Sequence, residues 1–334
     1  AGVVSLASTA QAEENSVLTA LSSTVISGSV EASYMGSLSG SNRLYTDDGF
    51  VANGASLAIG SPLGEGDYSA GYNVELLLGE RANVFGGGND GFHIKNANIG
   101  MNVPFGNGVD LTVGLFDTIV GYEVEASGSN PNVHRSYGYG ELEPLTHTGM
   151  LASTSLSDNL SVSFGLASAF DAAGDINGSI KGDGNFAYLV GVDITAPDNL
   201  GPLAGSSLYI GYASGADAGA DNDDDNKLLY IGGSMNSPIE GVSLGFAYDD
   251  LESPNGPDQD AVALYALWDV SDGVSLAGRY DTLDNGSDTK SMWSVTLGYS
   301  VWENVLTRLE YNYETGDREH GDSSGFALNL FYQF

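Results

Sequence analysis

A two-residue hydropathy period, repeated along almost the whole chain, limits the folds open to it. Phe186, Tyr188, Val190, Val192 and Ile194 alternate with Ala187, Leu189, Gly191, Asp193 and Thr195. Val242, Leu244, Phe246 and Tyr248 alternate with Ser243, Gly245, Ala247 and Asp249. Val274, Leu276 and Tyr280 alternate with Ser275, Ala277, Arg279 and Asp281, and Leu309, Tyr311 and Tyr313 with Arg308, Glu310 and Asn312. Successive side chains of a strand point to opposite faces, so each segment has one apolar face and one small or polar face. Further strands are expected near Val25–Tyr34, Val51–Ile59, Tyr68–Leu78, Asn96–Val103 and Val109–Leu115. Others fall near Thr146–Leu156, Leu160–Phe170, Ser207–Tyr212 and Leu228–Met235, and the series closes with Val262–Val270, Ser291–Tyr299 and Phe326–Phe334. The total is about sixteen strands of roughly nine to eleven residues, the length a tilted strand needs to cross a bilayer.

The connections point the same way. Short ones are built from turn residues, as in Phe105-Gly106-Asn107-Gly108, Ser157-Asp158-Asn159, Ser271-Asp272-Gly273 and Trp302-Glu303-Asn304. Between them run long polar loops, Asp171–Asn185, Ser214–Asn226, Asp250–Asp260 and Thr315–Ser324. Strict short–long alternation is expected of an outer-membrane barrel, with turns in the periplasm and loops outside. An even strand count puts both termini on the turn side. The expected fold is an all-β transmembrane antiparallel barrel, in one domain over residues 13–334. Residues Ala1–Ala12 end in Ala-Gln-Ala and read as the tail of a secretory signal peptide.

Composition removes several functions. Lys and Arg total 10 against 44 Asp and Glu, a formal charge of −34, which repels phosphate backbones and excludes nucleic acid as a partner. The acidity fits either a saline habitat or a pore that attracts cations. Cysteine is absent, so disulfides, thiolate catalysis and Cys-based metal sites are excluded.

Two resemblances add to this reading. Phe326, Leu328, Leu330, Tyr332 and the terminal Phe334 form one apolar face, and this ending resembles the signature read by the outer-membrane assembly machinery. It makes Tyr332 and Phe334 the expected assembly signal. The stretches Gly121-Tyr122-Glu123, Asn130-Pro131, Arg135-Ser136-Tyr137 and Leu145-Thr146-His147-Thr148-Gly149 are similar to the OmpL-like β-barrel porin family. Gly278-Arg279-Tyr280-Asp281 and Arg308-Leu309-Glu310-Tyr311 resemble that family's later strands. The resemblance implies a porin-like channel.

The longest connection, Asp117 to Pro144, is the third long loop, the one that folds inward in general porins. It is the expected constriction, with Glu123, Glu125, Arg135, Tyr137, Glu141 and Glu143 as its chief side chains, beside Tyr122, His134 and Tyr139. Strand parity places Glu31, Glu75, Asp110, Asp193, Asp269, Arg279, Asp281, Arg308 and Glu310 on the lumen wall. Arg279 and Arg308 have two readings. They either set a transverse field against the loop's Glu residues, or pair with Asp281 and Glu310 and stiffen the wall. Parity leaves His93, Lys95 and His147 without a role.

Three motif matches carry no chemistry. The run Asp221–Asn226 fails the EF-hand pattern, because Asn226 stands where Gly is needed and Gly232 where Glu is needed. No cofactor is expected beyond divalent cations held weakly at such acidic loops. Gly86–Gly91 fits a dinucleotide-binding glycine pattern but precedes an alternating stretch rather than a helix, and Gly321–Gly325 fits a nucleophile elbow but leads into a strand. The expected function is passive diffusion of small hydrophilic solutes or cations through the outer membrane, without enzymatic activity. Outer-membrane lipid, the assembly machinery and two further copies of the chain in a homotrimer are the expected partners. The competing reading is a secreted or surface-attached soluble β protein for adhesion or sugar binding.

Overall fold

The computed structural model describes residues 23–40, 48–64, 66–86, 88, 90–172, 186–216, 225–254, 256–315 and 321–334. The proposed signal tail, residues 221–224 of the Asp221–Asn226 run and parts of the loops at 171–185, 214–226 and 315–324 lie outside these residues, as do Gly87 and Asn89 of the glycine pattern.

Among the described residues sixteen strands form one closed antiparallel barrel. They are β1 (Val25–Ser39), β2 (Gly49–Ser61), β3 (Ala70–Leu78), β4 (Phe92–Val103), β5 (Val109–Asp117) and β6 (Thr146–Ser157). Next come β7 (Leu160–Ala167), β8 (Ala187–Thr195), β9 (Ser207–Gly215), β10 (Asn226–Asn236) and β11 (Val242–Glu252). The last are β12 (Gln259–Ser271), β13 (Val274–Asp284), β14 (Thr289–Trp302), β15 (Val305–Thr315) and β16 (Ser323–Gln333). Each strand pairs with its sequence neighbours, and β16 returns to β1, where Glu31 stands opposite Phe331. Closure leaves no strand edge unpaired, which hydrocarbon demands because it offers no water to a free N–H or C=O. Phe334 completes the seam. Its N–H and C=O bond the C=O and N–H of Gly28 at 3.0 Å, and its ring lies where a Cβ on Gly28 would stand.

Parity is visible in burial. Phe186, Tyr188, Val190 and Ile194 face outward and exposed, whereas Ala187 and Leu189 are buried inside. On β16 and just past it the outward set is Leu328, Leu330, Tyr332 and Phe334. At the turn end this face carries aromatic pairs, Tyr299 with Trp302 and Tyr332 with Phe334, and at the loop end Tyr34 with Phe50. Such girdles belong at the two membrane interfaces. No described helix is long and apolar enough to cross a membrane.

The strict alternation of connection lengths is corrected. On the turn side, 104–108, 158–159, 272–273 and 303–304 are short, and Gly273 (φ 77°) and Asn304 (φ 63°) supply left-handed turn residues. The stretches 62–69 and 196–206, on the same side, are longer, because Pro197, Gly201 and Pro202 wind the second into a 3-10 segment (Asp198–Leu203). On the loop side 285–288 is itself a tight turn, closed by Asn285 and Asp288. The β3–β4 connection holds a short helix, α1 (Glu80–Gly86), in a stretch to which the sequence assigned no element.

Candidate pore constriction

Residues 118–145 leave β5 and lie against the inner wall, fastened there by side chains from facing strands. The firmest anchor is Arg279 on β13, 1% exposed. Its Nε donates to Asp281 Oδ2 at 2.8 Å and Nη1 to Glu123 Oε1 at 2.9 Å. The remaining donors reach the carbonyls of His134 and Arg135 at 2.5 and 3.0 Å, and Ser294 Oγ at 3.3 Å. The second oxygens of the two carboxylates hold the loop backbone. Glu123 Oε2 accepts from Ser136 N–H at 2.6 Å, and Asp281 Oδ1 from Tyr137 N–H at 3.0 Å. One guanidinium and two carboxylates thus fix four successive loop residues, the geometry in which a planar five-donor fork is most effective.

Arg308 on β15 anchors the preceding stretch through main-chain oxygens. Its Nη1 donates to the carbonyls of Ser127, Asn130 and Asn132 at 2.9–3.2 Å, and Nη2 to Ser127 Oγ at 2.7 Å. Ser127 Oγ in turn donates to Glu31 Oε1 at 2.7 Å, and the Arg308–Glu31 separation is 3.8 Å. Between these two anchors Glu310 accepts the N–H groups of Val133 and His134 at 2.6 and 3.0 Å, Thr296 Oγ1 at 2.6 Å, and sits 2.7 Å from His134 Nδ1. Arg279 therefore bridges the loop Glu123 and the wall Asp281, and pairs with Asp281 as the second reading expected. Arg308 pairs with neither a loop Glu nor Glu310: its partners are loop carbonyls, Ser127 Oγ, Asn329 and, at 3.8 Å, the wall Glu31, and Glu310 takes His134 instead.

The other loop side chains are also engaged. Glu125 pairs with Arg81 of α1 at 2.5 Å, and Glu141 with Lys290 of β14. Lys290 also sits 4.6 Å from the centre of the Tyr137 ring, whose hydroxyl donates to Glu314 at 2.6 Å. Arg135 bonds the carbonyls of Val124, Glu125 and Val133 at 2.9–3.2 Å and lies over Tyr139. Glu143 is buried, and among the described residues no Lys or Arg pairs with it. Burial, then the negative charges of Asp249 and Glu123, push its carboxyl well above the usual carboxylate range. Burial likewise raises the phenols of Tyr122 and Tyr139.

On the far side the loop is held by apolar contact. Val120, Tyr137 and Leu142 pack with Leu189, Ala213, Leu228, Tyr230, Ala263 and Tyr265, which face inward from β8 to β12, and Tyr122 stacks on Tyr265 with ring centres 4.2 Å apart. Toward β1 and β2 a cavity of about 280 Å³ remains, lined by Glu31, Met35, Asn53, Glu80, Arg81 and Glu125 among others.

The remaining wall residues do not meet the loop. Asp110, Asp193 and Asp269 stand exposed near the turn end, Asp110 accepting from Asn102 at 2.7 Å. Glu75 shares Lys95 with Asp117, at 3.0 and 2.8 Å. The sequence reading missed Arg81, Lys290, Asp249 and Glu314, and it left Lys95 without a role. The signal was rarity: with ten basic residues in the chain, each one marks an interior contact worth seeking. Among the described residues no group of three or more His, Asp or Glu side chains is arranged to hold a metal ion.

The sequence matches the model of the OmpL-like beta-barrel porin-2 family over residues 24–332. The chain belongs to this family. It is an outer-membrane porin, which sets aside the soluble adhesion or sugar-binding reading. No curated protein matches it. Among solved structures, this porin is similar to Pseudomonas putida OprB at high pH (TM-score 0.67, 10% identity, 96% of each chain). It is similar also to the anion-selective porin from Comamonas acidovorans (TM-score 0.64, 14% identity, 93% of this chain and 99% of that one). A third likeness is the trimer form of in-vitro folded OmpT from Vibrio cholerae (TM-score 0.61, 15% identity, 93% of this chain and 99% of that one). At these identities the likeness concerns the fold.

Proposed function

We propose that this porin passes small hydrophilic solutes by diffusion, prefers cations, and carries them along the β1–β3 side of the barrel. The observation that carries this reading is the asymmetry of the interior. The loop is packed against β8–β12, and the cavity lies between it and β1, β2 and α1. The sign of the preference rests on charge. Of the described Lys and Arg, all but the exposed Lys227 lie inside the barrel, where carboxylates or carbonyls already engage them. Asp110, Asp193 and Asp269 add further negative charge along the wall, toward the turn end.

The barrel shape alone does not choose a sign, since the Comamonas acidovorans protein is an anion-selective porin. Field in a narrow, low-dielectric passage does. Reversal potentials in a potassium chloride gradient test the reading. Cation preference that weakens as salt rises past a screening length of about 10 Å at 0.1 M supports it. Anion preference refutes it. Following the trimer form of OmpT, we propose a homotrimer as the working assembly. We also propose Tyr332 and Phe334 as the assembly signal, supported by the place of Phe334 at the β1–β16 seam. Phe334→Asp is expected to lower outer-membrane levels severalfold, and unchanged levels would reduce this face to packing.

A further inference from the structure

The inward loop forms one side of the passage, and α1 forms another. Its position is fixed by local chemistry. Gly79 (φ 81°) turns the chain off β3, and its N–H bonds the Gly91 carbonyl at 2.9 Å. Asn83 Oδ1 accepts Gly91 N–H at 2.8 Å, and Ala82 and Phe85 pack with Leu77 and Leu145. This leaves Arg81 to reach across. Its Nε and Nη2 both donate to Glu125 Oε1, at 2.8 and 2.5 Å, while Nη1 donates to Ser29 Oγ at 3.1 Å on β1. The two side chains are about one-tenth exposed, and Glu125 Oε2 is buried without a hydrogen-bond partner. Both residues line the cavity, with Glu31, Glu80 and Arg135 as the other charges on its wall beside His134.

We propose that α1 is a second constriction element and that Arg81 is a specificity-determining residue, offsetting Glu125 and bracing α1 against the loop. The proposal rests on the porin reading above. A passage whose charges are nearly balanced responds to the loss of one. Removing the guanidinium leaves Glu125 uncompensated and favours cations; removing the carboxylate leaves Arg81 uncompensated and favours anions. A purely structural strut predicts no such opposition, because losing either partner would simply release the loop.

The test is a double-mutant cycle in planar bilayers. Arg81→Gln is expected to raise the cation-to-anion permeability ratio by about twofold and Glu125→Gln to lower it by about twofold, with the double variant near wild type. Arg81→Lys, which keeps the charge and loses the fork, should hold the ratio and raise conductance. Lys227→Gln, at an exposed pair outside the cavity, should change neither. Single variants that shift the ratio in the same direction, or leave it fixed, overturn the assignment of Arg81; so does a ratio that moves with Arg81→Lys. A wild-type protein that forms no ion-conducting channel overturns the porin reading instead.

Discussion

The two halves of the barrel interior are held by different chemistry. From β8 to β12 the inner wall is mostly apolar, with Asp249 its buried carboxylate, and the loop lays Val120, Tyr137 and Leu142 onto it, with Arg279 sealed at its margin. Toward β1 and α1 the contacts are polar, the side chains reach across space, and a cavity persists. Apolar contact closes most of the gap between loop and wall on that side, around the buried carboxyls of Glu143 and Asp249. Toward α1 the Arg81–Glu125 pair spans the gap without filling it. In the proposed reading the loop is a partition glued along β8–β15, and the path follows the side toward β1 and α1.

Breaking the glued side should cost most. Arg279→Ala strands Glu123 and Asp281 as buried charges and should destabilise the barrel by about 3–5 kcal/mol, read as a lower unfolding temperature in detergent. A loss below about 1 kcal/mol would mean that water reaches this pair and the half is not sealed. Leu142→Ala, at 2% exposed, should cost about 2–4 kcal/mol by opening a void against the wall. Tyr137→Phe removes the bond to Glu314 and should cost about 1 kcal/mol, with conductance little changed because the ring stays in place.

The smallest effect is a slope. The Glu143 carboxyl is raised in the folded protein, so the folded state binds its proton more tightly than the unfolded chain does. Its stabilising contribution is full at low pH and is lost as pH rises from the ordinary carboxylate range through the raised value. The unfolding temperature should fall over that window, and Glu143→Gln should flatten the fall. An unchanged slope in Glu143→Gln would place Glu143 in water.

The barrel was legible because period two is a local property. Alternation on segments such as 186–195 and 242–249 reports two faces without any knowledge of neighbours. The inward loop was legible from its length and place in the order. Its partners were not, since pairing joins residues far apart in the chain: Arg279 and Glu123 are separated by 156 positions, and Arg308 and Ser127 by 181. Parity put Arg308 and Glu310 on one face but could not tell that loop carbonyls would claim the first and His134 the second. Helix α1 escaped because Glu80–Gly86 makes too few turns for a 3.6-residue period to emerge. The regular alternation of connections failed where Pro197, Gly201 and Pro202 impose structure of their own.

The central claim is that solutes pass along β1 and α1 and not along β12. The chain has no cysteine, so single introduced thiols report water access without background. Met35→Cys on β1, facing the cavity, and Ala263→Cys on β12, 4% exposed beneath the loop, make the decisive pair. A charged, water-soluble thiol reagent added to open channels should modify Met35→Cys and reduce the current, and leave Ala263→Cys unmodified. Rapid modification of Ala263→Cys with block of the current, and a silent Met35→Cys, would contradict the account.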